Sequence, residues 1–329
     1  MDFDSSSYGK ISLSTVDFNF QYSLDGTNWN NFPLKEYVVA GSMSIKIRGN
    51  NPNGFNKDMS VSRPLVISGN LDYSISGDIS TLISYSGGSS IASINSCFDG
   101  LFSGNSHLIS AKDLVIPYTE IGRNCFSSAF FMCSNLKYAP ALPATKVNDF
   151  GYFMMFKYCS SLIEAPELPA TSIGDCAYDS MFSDCTNLTK ANKISAEEIP
   201  YCACEDMFSG CSKLTSMPEI CAKTIGNSGC NGMFSDCTSL KNVVPLEATS
   251  VSSEGYCNMF SGCTSLTIAP EIKATTLQNN SLSNMFSGCN KLNRVDVSFT
   301  SWINGATTNW LNGVSSSGYV VTTSNIGIP

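Results

Sequence analysis

Met181-Phe182-Ser183-Asp184-Cys185-Thr186-Asn187-Leu188 occurs five times in closely similar form, starting again at Met207, Met233, Met259 and Met285. Each start lies 26 residues after the one before it. A constant period of about 20–50 residues is typical of solenoids, in which each repeat must stack on its neighbours to bury its apolar face. The sequence therefore predicts a repeat solenoid.

Three apolar columns run through this repeat. Leucine keeps one position from Leu108 to Leu292, and leucine or isoleucine keeps another from Leu142 to Ile272. Phenylalanine keeps the third, and after a first step of 28 residues from Phe102 every later step is 26. We expect the three columns to form one continuous core. The later phenylalanines are Phe130, Phe156, Phe182, Phe208, Phe234, Phe260 and Phe286.

The chain has fifteen cysteines, and seven of them lie three residues after a repeat phenylalanine. Stacked coils would hold these thiols about 4.7–4.9 Å apart and pointing the same way, whereas a disulfide needs converging side chains. We expect buried free thiols that act as small apolar groups. The remaining cysteines lack zinc-ligand spacing, so no metal site is predicted. The seven are Cys133, Cys159, Cys185, Cys211, Cys237, Cys263 and Cys289.

One repeat divides into four predicted pieces. Residues 161–171 predict a short strand that prolines interrupt, because proline cannot donate a backbone hydrogen bond. Ile173-Gly174-Asp175 predicts a turn, and Cys176–Phe182 predicts a single helical or 3₁₀ turn that carries the Met-Phe pair into the core. Cys185 and Leu188 then return the chain to the next strand.

The Ala/Met-Phe-x-x-Cys-x-x-Leu motif, followed by proline-containing segments such as Ala165–Thr171, resembles the BspA-like leucine-rich repeats of bacterial surface proteins and of phage proteins from the gut Bacteroidales. The resemblance covers residues 97–298, and the tail Asn309–Gly318 is similar to that subgroup's C-terminal segment. Asn105 in place of the first cysteine, and Ala191–Ile194 without the proline motif, depart from the pattern. The resemblance implies a leucine-rich repeat solenoid.

Both ends of the solenoid need caps. Residues 1–90 predict a small antiparallel β-sandwich, because apolar residues alternate with polar ones around Phe18–Tyr22 and Met43–Ile47. We expect this domain to be the attachment module. Residues 91–298 form the predicted solenoid of about eight turns, and residues 299–329, with Phe299, Trp302, Trp310 and Leu311, form a C-terminal cap.

The composition excludes several classes of partner. The formal net charge is −8 and the pI is about 4.7, whereas nucleic acids and anionic membranes select basic surfaces. No apolar run is long enough for a spanning helix, which needs about 18 residues or more. Met1–Ser5 lack the basic and apolar regions of a secretory signal. Either a signal lies outside this sequence or export by that route does not occur.

The sequence carries no signature of catalysis. His107 is the only histidine, and general-base chemistry usually needs a histidine or a pair of carboxylates. No phosphate-binding loop, nucleophile elbow, metalloprotease motif or dinucleotide fingerprint occurs. Acidic residues are spread along the repeats and not grouped as in a calcium loop. We expect neither enzyme activity nor a cofactor.

Side chains that vary from repeat to repeat are the candidate binding residues, because the constant ones pack the core. Glu167, Lys193 and Glu219 share one repeat position and should stack with alternating charge, which stabilises adjacent strands by about 0.2–1 kcal/mol per pair. Such a column is either a solvated face or part of a partner-binding face. The predicted face comprises Tyr138, Glu164, Glu167, Lys190, Lys193, Glu219, Lys241, Glu271 and Lys273.

Two functions fit these features. The first is a non-catalytic phage virion protein of the fibre, capsid-decorating or receptor-binding type, because unpaired thiols suit assembly in a reducing cytoplasm. Its partners would be other virion proteins or a host cell-surface protein or glycan, and homo-oligomers are compatible with it. The second is a bacterial cell-surface adhesin of the same family. A carbohydrate-acting enzyme is a weaker third hypothesis, suggested only by the gut setting that the resemblance implies.

Overall fold

The computed structural model describes residues 8–13, 19–33, 37–40, 44–55, 65–88, 90–300 and 305–322. Phe18, Met43 and Trp302, to which the sequence assigned structural roles, lie outside the described residues. From residue 90 onward the described chain is a β-solenoid of about eight coils with a period of about 26 residues and almost no helix. The solenoid and its period are therefore confirmed.

Before the solenoid, the described residues contain seven strands, which form two antiparallel three-stranded sheets plus one further strand. The first sheet has the order β4-β1-β6, and the second has the order β3-β2-β5. The antiparallel structure predicted for this region is consistent with both. The strands are β1 (Tyr8–Leu13), β2 (Phe20–Ser23), β3 (Asn30–Asn31), β4 (Tyr37–Ala40), β5 (Lys46–Gly49), β6 (Leu65–Gly69) and β7 (Tyr73–Asp78).

The N-terminal part joins the first coil by backbone and side-chain contacts. β7 pairs in parallel with β8 (Leu108–Val115), so it extends the coil stack by one strand. The Phe55 amide donates to the Cys97 carbonyl at 3.0 Å, and the Phe55 ring lies 6.0 Å from that of Phe98. The end of the solenoid is therefore covered by residues on the N-terminal side of the boundary predicted at residue 90.

Each middle coil contributes a two-residue strand, and these strands pair in parallel with an offset of 26 residues in two sheets, one from residue 120 to residue 173 and one from residue 198 to residue 277. In each pair of residues the second side chain is buried. These strands are β9 (Glu120–Ile121), β10 (Lys146–Val147), β11 (Ser172–Ile173), β12 (Glu198–Ile199), β13 (Thr224–Ile225), β14 (Ser250–Val251) and β15 (Thr276–Leu277). The longer β16 (Arg294–Val297) pairs with β17 (Tyr319–Thr322) at the C-terminal end.

The predicted strand and turn are both displaced by a few residues. Residues 161–171 make only single bridges to the next coil, at Glu164 and Leu168, because the prolines at positions 166 and 169 have no amide hydrogen to donate. The strand lies instead at Ser172–Ile173, where a turn was predicted. The prediction of short parallel strands is right, and their placement within the repeat was wrong.

The helical turn predicted at Cys176–Phe182 is also wrong. In this segment the backbone amides alternate between two kinds of hydrogen bond. One amide bonds within its own coil, as when Met181 N–H donates to the Tyr178 carbonyl at 3.1 Å. The following amide bonds to the next coil, as when Phe182 N–H donates to the Met207 carbonyl at 2.9 Å. Every fourth residue, including Ser180 with φ 53°, is left-handed. Among the described residues the one helix is the 3₁₀ turn Ile79–Leu82.

The phenylalanine column stacks along the solenoid axis. From Phe130 to Phe286, successive ring centroids lie 5.3 to 5.6 Å apart and the ring planes diverge by no more than 11°. This offset stacking is favourable for aromatic rings. Trp310, whose ring lies 6.4 Å from that of Phe286, ends the column. All of these rings are buried.

The seven aligned cysteines have a hydrogen-bonding role that the sequence did not reveal. Each thiol donates to the carbonyl of the repeat phenylalanine in the preceding coil, as in Cys185 Sγ to Phe156 O at 3.1 Å, and all seven distances are 3.0 to 3.2 Å. In the first coil the Asn105 side-chain amide donates to the Phe102 carbonyl at 2.7 Å. The asparagine therefore bonds within its own coil, to the carbonyl that also accepts from Cys133, and does not reproduce the bond between coils.

We predict that native protein exposes two reactive thiols. All fifteen cysteines are thiols, and only Cys221 and Cys257 are partly exposed. Burial raises the pKa of column thiols such as Cys185 well above its usual range, so the reactive thiolate is scarce there. Timed alkylation followed by mass spectrometry should label these two first. All fifteen should react after denaturation without reductant, and an oxidised column would contradict this result.

Candidate interaction surface

One set of exposed positions that vary between coils lies on the segment between the repeat leucine and the two-residue strand, and we call this surface the lateral face. It is formed by the columns that contain Tyr138, Glu167 and Lys273, where the side chains of successive coils follow one another at intervals of about 26 residues. Buried residues such as Leu168 and Ala170 alternate with exposed ones along this segment. Every second side chain therefore packs into the core, and the side chains between them face solvent.

Several predicted binding residues are paired with each other between neighbouring coils. Lys193 Nζ lies 3.3 Å from Glu219 Oε1, and Lys190 Nζ lies 3.8 Å from Glu164 Oε2. The stacking of opposite charges predicted for Lys193 and Glu219 is therefore present. These exposed pairs fix the orientation of long side chains and add little stability each.

Lys273 belongs to a charge cluster that sequence reasoning missed. Its Nζ lies 2.6 Å from Glu247 Oε1, and Lys223 Nζ lies 3.5 Å from the other carboxylate oxygen. The hydrogen bond from Lys273 lowers the pKa of Glu247, with a smaller contribution from Lys223. The sequence could have revealed the pair of Glu247 and Lys273, because the two positions are 26 residues apart and so stack in neighbouring coils.

The other predicted residues are exposed on this same face but do not converge on a pocket. Tyr138 has 51% of its surface exposed, and Glu167, Lys241 and Glu271 are also exposed. The Tyr138 column continues to Ile268 and Tyr319, which are 51% and 57% exposed. The arrangement is an extended surface, suited to a macromolecule and not to enclosing a small substrate.

A second candidate lies where the N-terminal sheets meet the first coils. A cavity of about 670 Å³ is lined by apolar residues such as Ile47 and Leu114 and by polar groups including Asp78. At its edge the Arg48 guanidinium carbon lies 4.0 Å from the Trp29 ring centroid and 4.9 Å from that of Tyr85. No sequence signal brought these residues together, because they come from β5 and from two separate loops.

The one histidine of the chain contacts an acidic side chain. His107 Nδ1 lies 3.0 Å from Asp72 Oδ1 in an exposed hydrogen-bonded pair near the start of β8. Within the described ranges, no group of three or more histidine, cysteine, aspartate or glutamate side chains is placed to hold a metal ion. In the same residues no helix is both long and apolar enough to cross a membrane.

Comparison with known proteins gives no matching family model, no matching curated protein and no matching solved structure.

Proposed function

We propose that the chain is a non-catalytic recognition protein of the BspA-like leucine-rich repeat type, acting in a phage virion as a fibre, capsid-decorating or receptor-binding component. The observation that carries this proposal is the lateral face. Its backbone repeats from coil to coil, whereas Tyr138, Lys241 and Ile268 at its exposed positions do not. A rigid scaffold that presents non-repeating side chains is how solenoid proteins bind other molecules.

The stacked core supports a role that requires stiffness. The ring column from Phe130 to Phe286 and the parallel thiols link every coil to the next one through packing and hydrogen bonds. Side chains on such a surface lose little further freedom when a partner binds, and this preorganisation favours affinity. Ion pairs such as Lys193–Glu219 add to this effect by holding charges at fixed places.

The proposal predicts that lateral-face residues govern attachment. Labelled protein would be tested on immobilised glycans and on panels of intact gut bacteria, comparing Tyr138→Ala/Lys241→Ala with the parent chain. Both side chains are exposed, so the core is unchanged. We expect the double variant to bind at least about tenfold more weakly, because a few residues usually carry most of the binding energy.

Trp29→Ala is the matched control, because it alters the edge of the cavity and leaves the lateral face intact. Loss of binding in Trp29→Ala alone would move recognition to the cavity, and unchanged binding in the double variant would contradict the proposal. Immunogold microscopy decides the location: label on phage particles supports the virion assignment. Label confined to bacterial envelopes would replace it with a cell-surface adhesin.

A further inference from the structure

A second surface, which we call the turn strip, runs along the segment that was predicted to be helical. In each coil it presents three outward pairs of residues separated by two inward pairs. In one coil the outward pairs are Asp149–Phe150, Phe153–Met154 and Lys157–Tyr158, whereas Gly151–Tyr152 and Met155–Phe156 point into the core. This period of four residues repeats in the following coils, so the strip is a surface three pairs wide.

The second residue of each outward pair has a left-handed backbone. Phe150, Met154 and Tyr158 have φ values of 56°, 52° and 63°. This conformation is unfavourable for bulky side chains and is tolerated best by glycine and asparagine. The equivalent positions in the next five coils hold cysteine, serine, aspartate, glutamate, asparagine or glycine. Three large side chains in strained positions of one coil indicate a role other than folding.

These side chains form a partly exposed aromatic patch with Phe131 and Met132 of the preceding coil. The Tyr158 ring meets that of Phe131 edge-on with centroids 5.7 Å apart, and Phe150 and Phe153 make a similar contact at 5.7 Å. Met132 is 49% exposed and Tyr158 is 41% exposed. Contiguous exposed apolar side chains are typical of protein–protein interfaces.

Charged groups around the patch are arranged for self-recognition. Arg123 and Lys157 lie over its rings, 5.3 Å from the Phe150 centroid and 5.6 Å from the Tyr158 centroid. Asp149 lies at the opposite end of the row from Lys157 and is ion-paired at 3.2 Å with Arg123 of the same chain, and Asp184 lies diagonally across the strip from Arg123. A two-fold axis through the pair Phe153–Met154 exchanges the position of Asp149 with that of Lys157. It also exchanges the position of Arg123 with that of Asp184.

We propose that the aromatic patch is covered by a second copy of this chain in an antiparallel two-fold dimer centred on Phe153–Met154. The pair Asp149–Phe150 then faces Lys157–Tyr158 of the second copy, and Arg123 faces the pair Ser183–Asp184. A two-fold interface requires such self-complementary pairing. The contacts of the central coil therefore occur twice, with Asp149 against Lys157 and Phe150 against Tyr158.

The strip also limits the size of this interface. Glu205 and Asp206 lie two coils after the coil of Phe153. The two-fold arrangement places them opposite Asp99 of the second copy. Since like charges repel, the contact ends after three coils. An interface of this size, with charged groups at its rim, is a weak one whose association depends on salt. It would pair two rods side by side and leave both lateral faces accessible.

The first test removes the patch without disturbing the fold. Phe150→Asn/Met154→Asn/Tyr158→Gly reproduces the residues found at the equivalent positions 280, 284 and 288. Sedimentation over a micromolar concentration series should show dimers for the parent chain and monomers for this variant. Its melting temperature should be unchanged or higher, because the strain at three left-handed residues is relieved.

Tyr138→Ala, on the lateral face, is the control and should dimerise like the parent. A parent chain that stays monomeric throughout the series would overturn the proposal and leave the patch to a different partner. Equal association of the parent and the triple variant would place any dimer contact elsewhere.

The second test examines the two-fold arrangement itself. Lys157→Glu and Asp149→Lys each create like-charge contacts in a homodimer, so each alone should associate at least about tenfold more weakly. An equimolar mixture restores opposite charges at both places and should dimerise like the parent. A mixture no better than the separate variants would contradict the geometry.

Asp149 also accepts hydrogen bonds from Arg123 and from the Asp175 amide, so the melting temperature of its variant must be measured. Arg123→Glu mixed with Asp184→Lys provides an independent pair with the same expected rescue. Failure of both mixtures, with all variants folded, would exclude the two-fold dimer.

Discussion

Phe182→Ala is expected to lower the free energy of unfolding by about 3–5 kcal/mol, the usual range for emptying a buried aromatic site. Phe182 is completely buried, and its ring lies 5.6 Å from that of Phe156 and 5.4 Å from that of Phe208. Removing the ring opens a gap in the middle of the column. The loss is large because coils on both sides lose their stacking partner, and close-packed neighbours relax only partly.

Denaturant titration followed by circular dichroism measures this effect. Tyr201→Ala is the matched control, because Tyr201 is an aromatic residue with 55% of its surface exposed. Substitutions at such sites usually change stability by no more than about 0.5 kcal/mol. Equal destabilisation by the two variants would show that the phenylalanine column does not form the core.

The solenoid could be predicted from the sequence because it depends on a constant interval. Stacking residues at intervals of 26 places Phe182, Cys185 and Leu188 on equivalent residues of the next coil, whatever the local backbone conformation is. Their burial follows from their apolar character. The period also identifies Tyr138 and Lys241 as variable positions. Whether those residues bind a partner is a separate question, which the experiments above address.

The local backbone could not be predicted in the same way. Cys176–Phe182 contains inward residues in pairs, Ala177–Tyr178 and Met181–Phe182, and this spacing is close to that of a helix. The competing arrangement sends alternate amides to the next coil and requires a left-handed residue every four positions. Asp184, Gly210 and Asp236 at one such position were the available signal, because glycine and aspartate tolerate that conformation.

The two surfaces that were missed depend on tertiary contacts. The cavity near Arg48 needs residues that are far apart in the sequence, so no spacing pointed to it. The aromatic patch is visible in the sequence only after the outward positions are known. Phe153 and Tyr158 then stand out, because the later coils carry small or polar residues there.

The coil stack makes a direct prediction about deletions. Removing residues 213–238 joins Ser212 to Ser239, which occupies the repeat position of Lys213, so the remaining coils keep their columns. Cys204 then stacks on Tyr256, as Cys230 does in the parent chain. Because solenoid repeats contact only their neighbours, a chain that is one coil shorter should still fold.

The most direct test of the solenoid is therefore to compare this 26-residue deletion with removal of residues 226–238, which is half a coil. Thermal unfolding followed by circular dichroism should show a cooperative transition close to that of the parent for the whole-coil deletion. The half-coil deletion should abolish cooperative unfolding of the coils beyond it, because every following column is out of register. Equal tolerance of both deletions, or equal damage from both, would contradict a solenoid with this period.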